Sequence, residues 1–146
     1  MIRFPRFGRC SRRTIALLVL AALGAGGLSA CGGSAGSGSS LPKEISPQQA
    51  KADQAAGALL LDVREQDEYT QGHIAGSRWI PLGQLSARLA ELPRDQLIVT
   101  VCRSGARSAQ ARDLLLAAGY SQVTSMAGGM QAWIAAGFPV ERSVPK

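Results

Sequence analysis

The stretch QLIVTVCRSGARSA, residues 96–109, runs from strand-forming residues into a cysteine loop rich in arginine, serine and glycine. Leu97 to Val101 are nearly all apolar, as expected of a strand buried on both faces. Beyond the loop, residues 107–118 put Ala111, Leu114, Leu115 and Ala118 on one stripe, and Gly119 stands at the end. That is the pattern of an amphipathic helix with a glycine stop. The unit therefore reads strand, short loop, helix, with Cys102 at the carboxyl end of the strand.

The same alternation continues on either side. Ser46-Pro47 predicts a helix N-cap and first helical position, opening PQQAKADQAAG. ALLLDV, residues 58–63, predicts another buried strand, and REQDEYTQ a polar helix. RWIPL predicts a short strand ended by Pro81. LGQLSARLAEL carries Leu82, Leu85, Leu89 and Leu92 at helical spacing. QVTSM predicts a further strand, and MQAWIAAG a closing helix with Gly137 after it. Strands alternating with helices predict an α/β domain with a mostly parallel sheet. Ligands in such sheets bind at the carboxyl ends of strands, where Cys102 lies.

The loop explains why a cysteine belongs there. Between a strand and a helix N-terminus, successive amide N–H groups can turn inward and form an anion nest. Gly105 permits the turn. Arg103 and Arg107 add positive charge, and nest and arginines together predict a thiol more acidic than the ordinary value of about 8.5. A nucleophile and an oxyanion cradle then come from one loop. Structural cysteines at strand ends lie among apolar residues, not among arginines and serines.

LLDVREQDEYTQGHIAGSRWIPL (60–82), VCRSGARS (101–108) and GGMQAW (128–133) together resemble the single-domain type of the rhodanese-like family. The resemblance covers about a hundred residues, in the family's order and spacing. It implies an α/β fold with a five-stranded, mostly parallel sheet flanked by helices on both faces. It also implies a sulfurtransferase in which Cys102 takes the sulfane sulfur of thiosulfate, releases sulfite, and passes the sulfur from a persulfide to cyanide or a thiol. Arg103, Ser104, Gly105, Ala106 and Arg107 are the expected substrate-binding loop. No metal and no cofactor are expected.

Loop length separates branches of this fold. The loop counted from the cysteine, CRSGAR, has six residues, the sulfurtransferase length. Related cysteine phosphatases use seven and end on an arginine, whereas the sixth residue after Cys102 is Ser108. A reductase that resolves its own intermediate lacks a second free cysteine here. A non-enzymatic module that carries the persulfide or binds a partner stays open as the other alternative. Elsewhere, Asp62 is expected to tie down the active loop and Arg64 to pair with an acid such as Glu68. His73, the single histidine, is expected to satisfy backbone groups at a turn. Gly128 and Gly129 are expected to allow close backbone approach, and Trp79 and Trp133 to lie in the core or at its rim.

Charge is unevenly placed along the 146 residues. The net charge is +6, but Arg3, Arg6, Arg9, Arg12 and Arg13 fall in the first thirteen positions, where there is no acid. From residue 31 onward eleven basic residues face ten acidic ones, which excludes a nucleic-acid footprint in the remainder. The basic start precedes TIALLVLAALGAGGL, too short and glycine-interrupted to span a bilayer well, and predicts an export signal over residues 1–30. SRRTIAL partly resembles the twin-arginine export motif. LSAC, Leu28 to Cys31, resembles the lipobox of bacterial lipoproteins and implies an acylated Cys31 as the new N-terminus. Two or three chains anchor stably where one is marginal. GGSAGSGSS follows as a flexible tether spanning about 15–18 Å, so residues 31–43 link the lipid to a domain over 44–146. Cys10 leaves with the signal and Cys31 is blocked, which leaves Cys102 a lone thiol in an oxidising compartment. The expected partners are a small sulfur donor, a thiol or cyanide acceptor, and a membrane through the lipid. The expected place is the periplasm or cell surface, and the expected state is a monomeric domain.

Overall fold

The computed structural model describes residues 41–143. The predicted signal, Cys31 and the tether over 32–40 lie outside the described residues. The elements run β1 (Glu44–Ile45), α1 (Pro47–Ala55), β2 (Leu59–Asp62), α2 (Gln66–Gln71), β3 (Arg78–Trp79), α3 (Leu82–Leu85), a 3₁₀ turn (Leu89–Glu91), β4 (Ile98–Val101), α4 (Ala106–Ala117), β5 (Val123–Met126) and α5 (Gly129–Ala135). The five strands form one sheet in the order β1-β5-β4-β2-β3, with every pairing parallel. The α/β class and the five-stranded sheet implied by the resemblance are both present.

Both faces of the sheet are covered, so its strands carry apolar residues on both sides. Leu61, Ile98, Leu85 and Leu115 belong to one core cluster, which brings α3 and α4 onto the sheet. Leu60, Val99, Val101, Ala50 and Trp133 belong to the other, which brings α1 and α5 onto the opposite face. The alternation of Ile98 with Val99 follows the two-residue period of a strand. Cys102 continues the α4-side cluster at the end of β4. The central strand β4 thus delivers the cysteine to the carboxyl edge of a sheet closed on both faces.

Local chemistry starts and stops the elements much as expected. Ser46 Oγ accepts from Gln49 N at 3.2 Å with Pro47 in the first turn of α1. The leucine pattern over 82–92 does not make one helix. It breaks into α3 and the 3₁₀ turn, with Leu85 and Leu92 buried in the core. Pro93 disfavours helical backbone at Leu92, which is extended at φ −97°, ψ 139°. The freed carbonyls find side-chain partners instead: the Tyr120 hydroxyl donates to Leu89 O at 2.5 Å, and the Arg78 guanidinium donates to Glu91 O. The leucine spacing therefore reported burial correctly and helix continuity wrongly.

The two-residue strand β1 had no pattern to announce it. Lys43 O accepts from Ser125 N, Ser125 Oγ and Arg112 Nη1, and Thr124 Oγ1 donates to Pro42 O. Those bonds from β5 and α4 fix the entry of the chain into the sheet. Chain beyond α5 returns to the site: His73 and Glu141 exchange two backbone hydrogen bonds, of 2.9 and 2.8 Å. His73 is buried and its Nδ1 lies 3.0 Å from Tyr69 O, so it serves the turn as expected.

Candidate functional site

The loop after β4 wraps its amides around the Cys102 sulfur. Gly105 N–H points at Sγ from 3.1 Å, and Gly105 itself caps α4 at φ +110°, a conformation glycine adopts freely. Sγ therefore sits at the N-terminus of a twelve-residue helix, where the peptide dipoles favour negative charge. The Ser108 hydroxyl lies 3.6 Å from Sγ and donates to Gly105 O at 2.7 Å. Its hydrogen can turn toward sulfur once the thiol loses its proton. Below the loop, Thr100 Oγ1 donates to Ser108 O at 2.8 Å and locks the first turn of α4 onto β4.

Burial pushes the Cys102 thiol up, but hydrogen bonds from Ser108 and from the amides of Ser108, Gly105 and Ser104 outweigh it. The net position is below the ordinary thiol value. The amide nest acts as expected. The arginines, also expected to acidify the thiol, contribute less: Arg107 Nη2 is tied to Glu68 Oε1 at 2.7 Å, and Arg103 lies exposed at the rim. The thiolate does help to raise the Arg107 pKa, but Glu68 is the larger cause. Ser108→Ala should thus shift the pH profile of Cys102 alkylation by iodoacetamide upward more than Arg103→Ala does. At neutral pH the Ser108 variant should react several-fold more slowly, because less of its thiol is ionised. An unchanged profile would assign the acidity elsewhere.

Asp62 does not tie down the active loop as expected. Arg64 pairs with a nearby acid, as expected, but that acid is Asp62 and not Glu68: the pair is buried and two-pronged, Nε to Oδ1 at 2.9 Å and Nη2 to Oδ2 at 2.6 Å. The remaining Arg64 donors reach the carbonyls of Glu68 and Gly72, clamping α2 against β2. Glu68 is then free to act as a strut. One oxygen takes Arg107 and the other accepts from Glu65 N at 3.2 Å, so the first turns of α2 and α4 are joined. The Arg107 guanidinium holds the Glu68 carboxyl below its usual range against the opposing effect of burial.

The glycines of GGMQAW meet their expectation. Met130 N–H donates to Cys102 O at 2.8 Å and Gln131 N–H to Arg103 O at 3.0 Å, docking the start of α5 on the loop. A Cβ on Gly129 would sit 2.2 Å from Cys102 O and 2.7 Å from Arg103 C. Trp133 is buried in the core, and Trp79 Nε1 donates to Arg64 O at 2.9 Å from a half-buried position.

A cavity of about 430 Å³ opens over the loop, lined by Arg103, Ser104, Ala106 and Arg107 with Glu65, Asp67 and Glu68 opposite. All five predicted loop residues thus gather around Cys102, with Gly105 buried against the sulfur and the other four at the mouth. Sequence reasoning missed Ser108 and the strut role of Glu68. Ser108 had a signal: it is the first residue after the loop and lies in the first turn of the predicted helix.

The rhodanese-like domain family matches residues 46–136. A sulfurtransferase of Allochromatium vinosum is 40% identical over 82 residues, 56% of this chain and 77% of that protein. The thiosulfate sulfurtransferase GlpE of Stutzerimonas stutzeri is 35% identical over 91 residues, 62% of this chain and 84% of the relative. A rhodanese-related protein of Thermoplasma volcanium, known from its crystal structure, superposes with a TM-score of 0.66 at 33% identity, over 70% of this chain and 100% of that one. With the five-stranded parallel sheet and a cysteine loop at its carboxyl edge, these matches place the chain in the rhodanese-like domain family.

Proposed function

We propose that the protein is a sulfurtransferase with Cys102 as its nucleophile. The observation that carries the reading is the cradle itself: a buried sulfur faces an amide at 3.1 Å and a helix N-terminus, in a loop one residue shorter than a phosphate-binding one. The Cys102 thiolate attacks the sulfane sulfur of thiosulfate. The S–S bond of the donor breaks, its electron pair leaves with sulfite, and the enzyme keeps a persulfide whose charge the same amides hold. Cyanide or a thiolate then attacks the outer sulfur and Cys102 leaves as thiolate, so no outside oxidant is needed. Exposed Arg103 steers the anionic donor to the mouth. Because the thiolate is stabilised by hydrogen bonds, no general base is required.

The relatives named as sulfurtransferases support this reading over a purely binding role. Assaying the full chain with thiosulfate and cyanide tests it: thiocyanate should form, and aryl phosphates should not be turned over. Phosphate-ester hydrolysis without thiocyanate would favour the phosphatase branch.

We also propose that the chain is exported and held to a membrane by acylated Cys31, with the domain in the periplasm or at the cell surface. The support is the order of features in the sequence: basic start, apolar run, LSAC, then a glycine-serine tether. Cys31→Ser should accumulate as a longer, unacylated precursor on a gel and by mass. A wild-type protein recovered soluble and unacylated would contradict the anchor.

A further inference from the structure

The arginine that closes the cysteine loop is already engaged. Arg107 and Glu68 both line the cavity over the loop, and their side chains remain 31% and 20% exposed there. Their 2.7 Å contact is thus made at the mouth itself, where an entering anion must compete for the guanidinium. Glu68 is aimed at Arg107 from its own helix. Its second oxygen accepts from Glu65 N at 3.2 Å, and Arg64 Nη1 donates to its backbone carbonyl at 3.1 Å. Arg103 is the other cation of the loop, and Glu65 and Asp67 add two further carboxylates to the wall.

Neither helix needs this ion pair to stay in place. Arg64 clamps α2 to β2 through the carbonyls of Glu68 and Gly72. The loop and the first turn of α4 are held by Thr100 Oγ1 on Ser108 O, by the Ser108 hydroxyl on Gly105 O, and by the amides of Met130 and Gln131 on the carbonyls of Cys102 and Arg103. Partly exposed ion pairs add little to stability. The larger consequence of the pair is electrostatic. A guanidinium takes a carboxylate and a tetrahedral oxyanion with the same N–H donors, so Glu68 and an oxyanion exclude one another at Arg107. The Cys102 thiolate and the Arg107 cation also favour one another, which places the guanidinium within electrostatic reach of the sulfur.

We propose that Glu68 is a positioning residue that masks Arg107 and so weakens the grip of the loop on tetrahedral oxyanions such as sulfate and phosphate. The consequence for sulfur transfer rests on the sulfurtransferase reading above; the masking does not. Sulfate and phosphate share the shape and charge of the oxyanion end of thiosulfate but have no sulfane sulfur to give. A bare Arg107 would hold them as readily as the donor, and would hold the sulfite that leaves. With Glu68 in place the mouth stays open to turnover in their presence.

The probe is sodium sulfate, titrated by calorimetry into the full chain at fixed ionic strength. Glu68→Gln keeps the shape of the side chain and removes the charge that competes for Arg107. That variant should bind sulfate about tenfold more tightly than the wild type, the scale of one charge-assisted hydrogen bond. Adding Arg107→Gln should return binding to within about threefold of the wild type, because the gain runs through the guanidinium. The pH profile of Cys102 alkylation by neutral iodoacetamide should move down in Glu68→Gln, since a freed cation favours the thiolate. A residue that merely braced the loop would move it up. In turnover, Glu68→Gln should lower the KM for thiosulfate without raising kcat, and sulfate should inhibit more strongly. Unchanged or weaker sulfate binding by Glu68→Gln overturns the proposal, as does a gain that survives Arg107→Gln or an upward shift of the alkylation profile. If no thiocyanate forms but the sulfate titrations behave as stated, the sulfurtransferase reading fails while the masking stands.

Discussion

Cys102→Ser is expected to lower thiocyanate formation from thiosulfate and cyanide by at least about a thousandfold, the scale of loss when a covalent nucleophile is removed. A serine hydroxyl is not ionised near neutral pH, and oxygen in place of sulfur cannot carry the transferred atom as a persulfide. The fold should survive. Serine is close in size to cysteine, and Gly105 N–H and the Ser108 hydroxyl remain beside it as partners. The comparison to make is steady-state thiocyanate production alongside the denaturation midpoint. Activity retained in the variant would remove Cys102 from the reaction. Activity lost together with the fold would leave the role of the thiol to be read from Ser108→Ala, which weakens its ionisation and keeps the sulfur.

Gly129→Ala should be the most destabilising single methyl added near the site. The new Cβ would meet Cys102 O at 2.2 Å and the Arg103 carbonyl carbon and oxygen at 2.7 and 2.8 Å. Those are backbone atoms in a loop that α5 already grips by two hydrogen bonds, so no side chain can swing aside. The residue also holds φ +55°, which a Cβ disfavours. Overpacking and backbone strain together are expected to cost about 3 kcal/mol or more. Chemical denaturation should show a lowered midpoint. Where the variant still folds, Cys102 alkylation should slow, because the loop that carries the amides has been pushed off the sulfur. A midpoint within error of wild type would mean that the contact between α5 and the loop is looser than described.

Much of this architecture was legible because it rests on local chemistry. β2 and β4 announce themselves as nearly continuous apolar runs, and α1 and α4 by their cap, stripe and stop residues. The position of Cys102 follows from strand, glycine turn and helix in succession, and its nest of amides follows from that. Longer-range facts were not legible. Two residues of β1 give no periodicity, and only β5 and Arg112 make them a strand. The leucines of 82–92 have helical spacing, but burial can be met by broken turns when Pro93 and outside donors take the carbonyls. Arg64 was expected to pair with an acid such as Glu68 and pairs with Asp62 instead, leaving Glu68 to Arg107, because charge alone does not say which acid lies across from which base. The return of the chain after α5, with Glu141 paired to His73 and Arg142 Nε donating to Gln71 O, lies beyond the last predicted helix.

In the proposed reaction Cys102 becomes a persulfide, which intact-mass spectrometry of the full chain after exposure to thiosulfate, followed by mapping of the Cys102 peptide, would detect. One added sulfur atom is expected on Cys102, removed by cyanide and never formed in Cys102→Ser. A Cys102 peptide unchanged in mass at saturating thiosulfate would contradict that reaction.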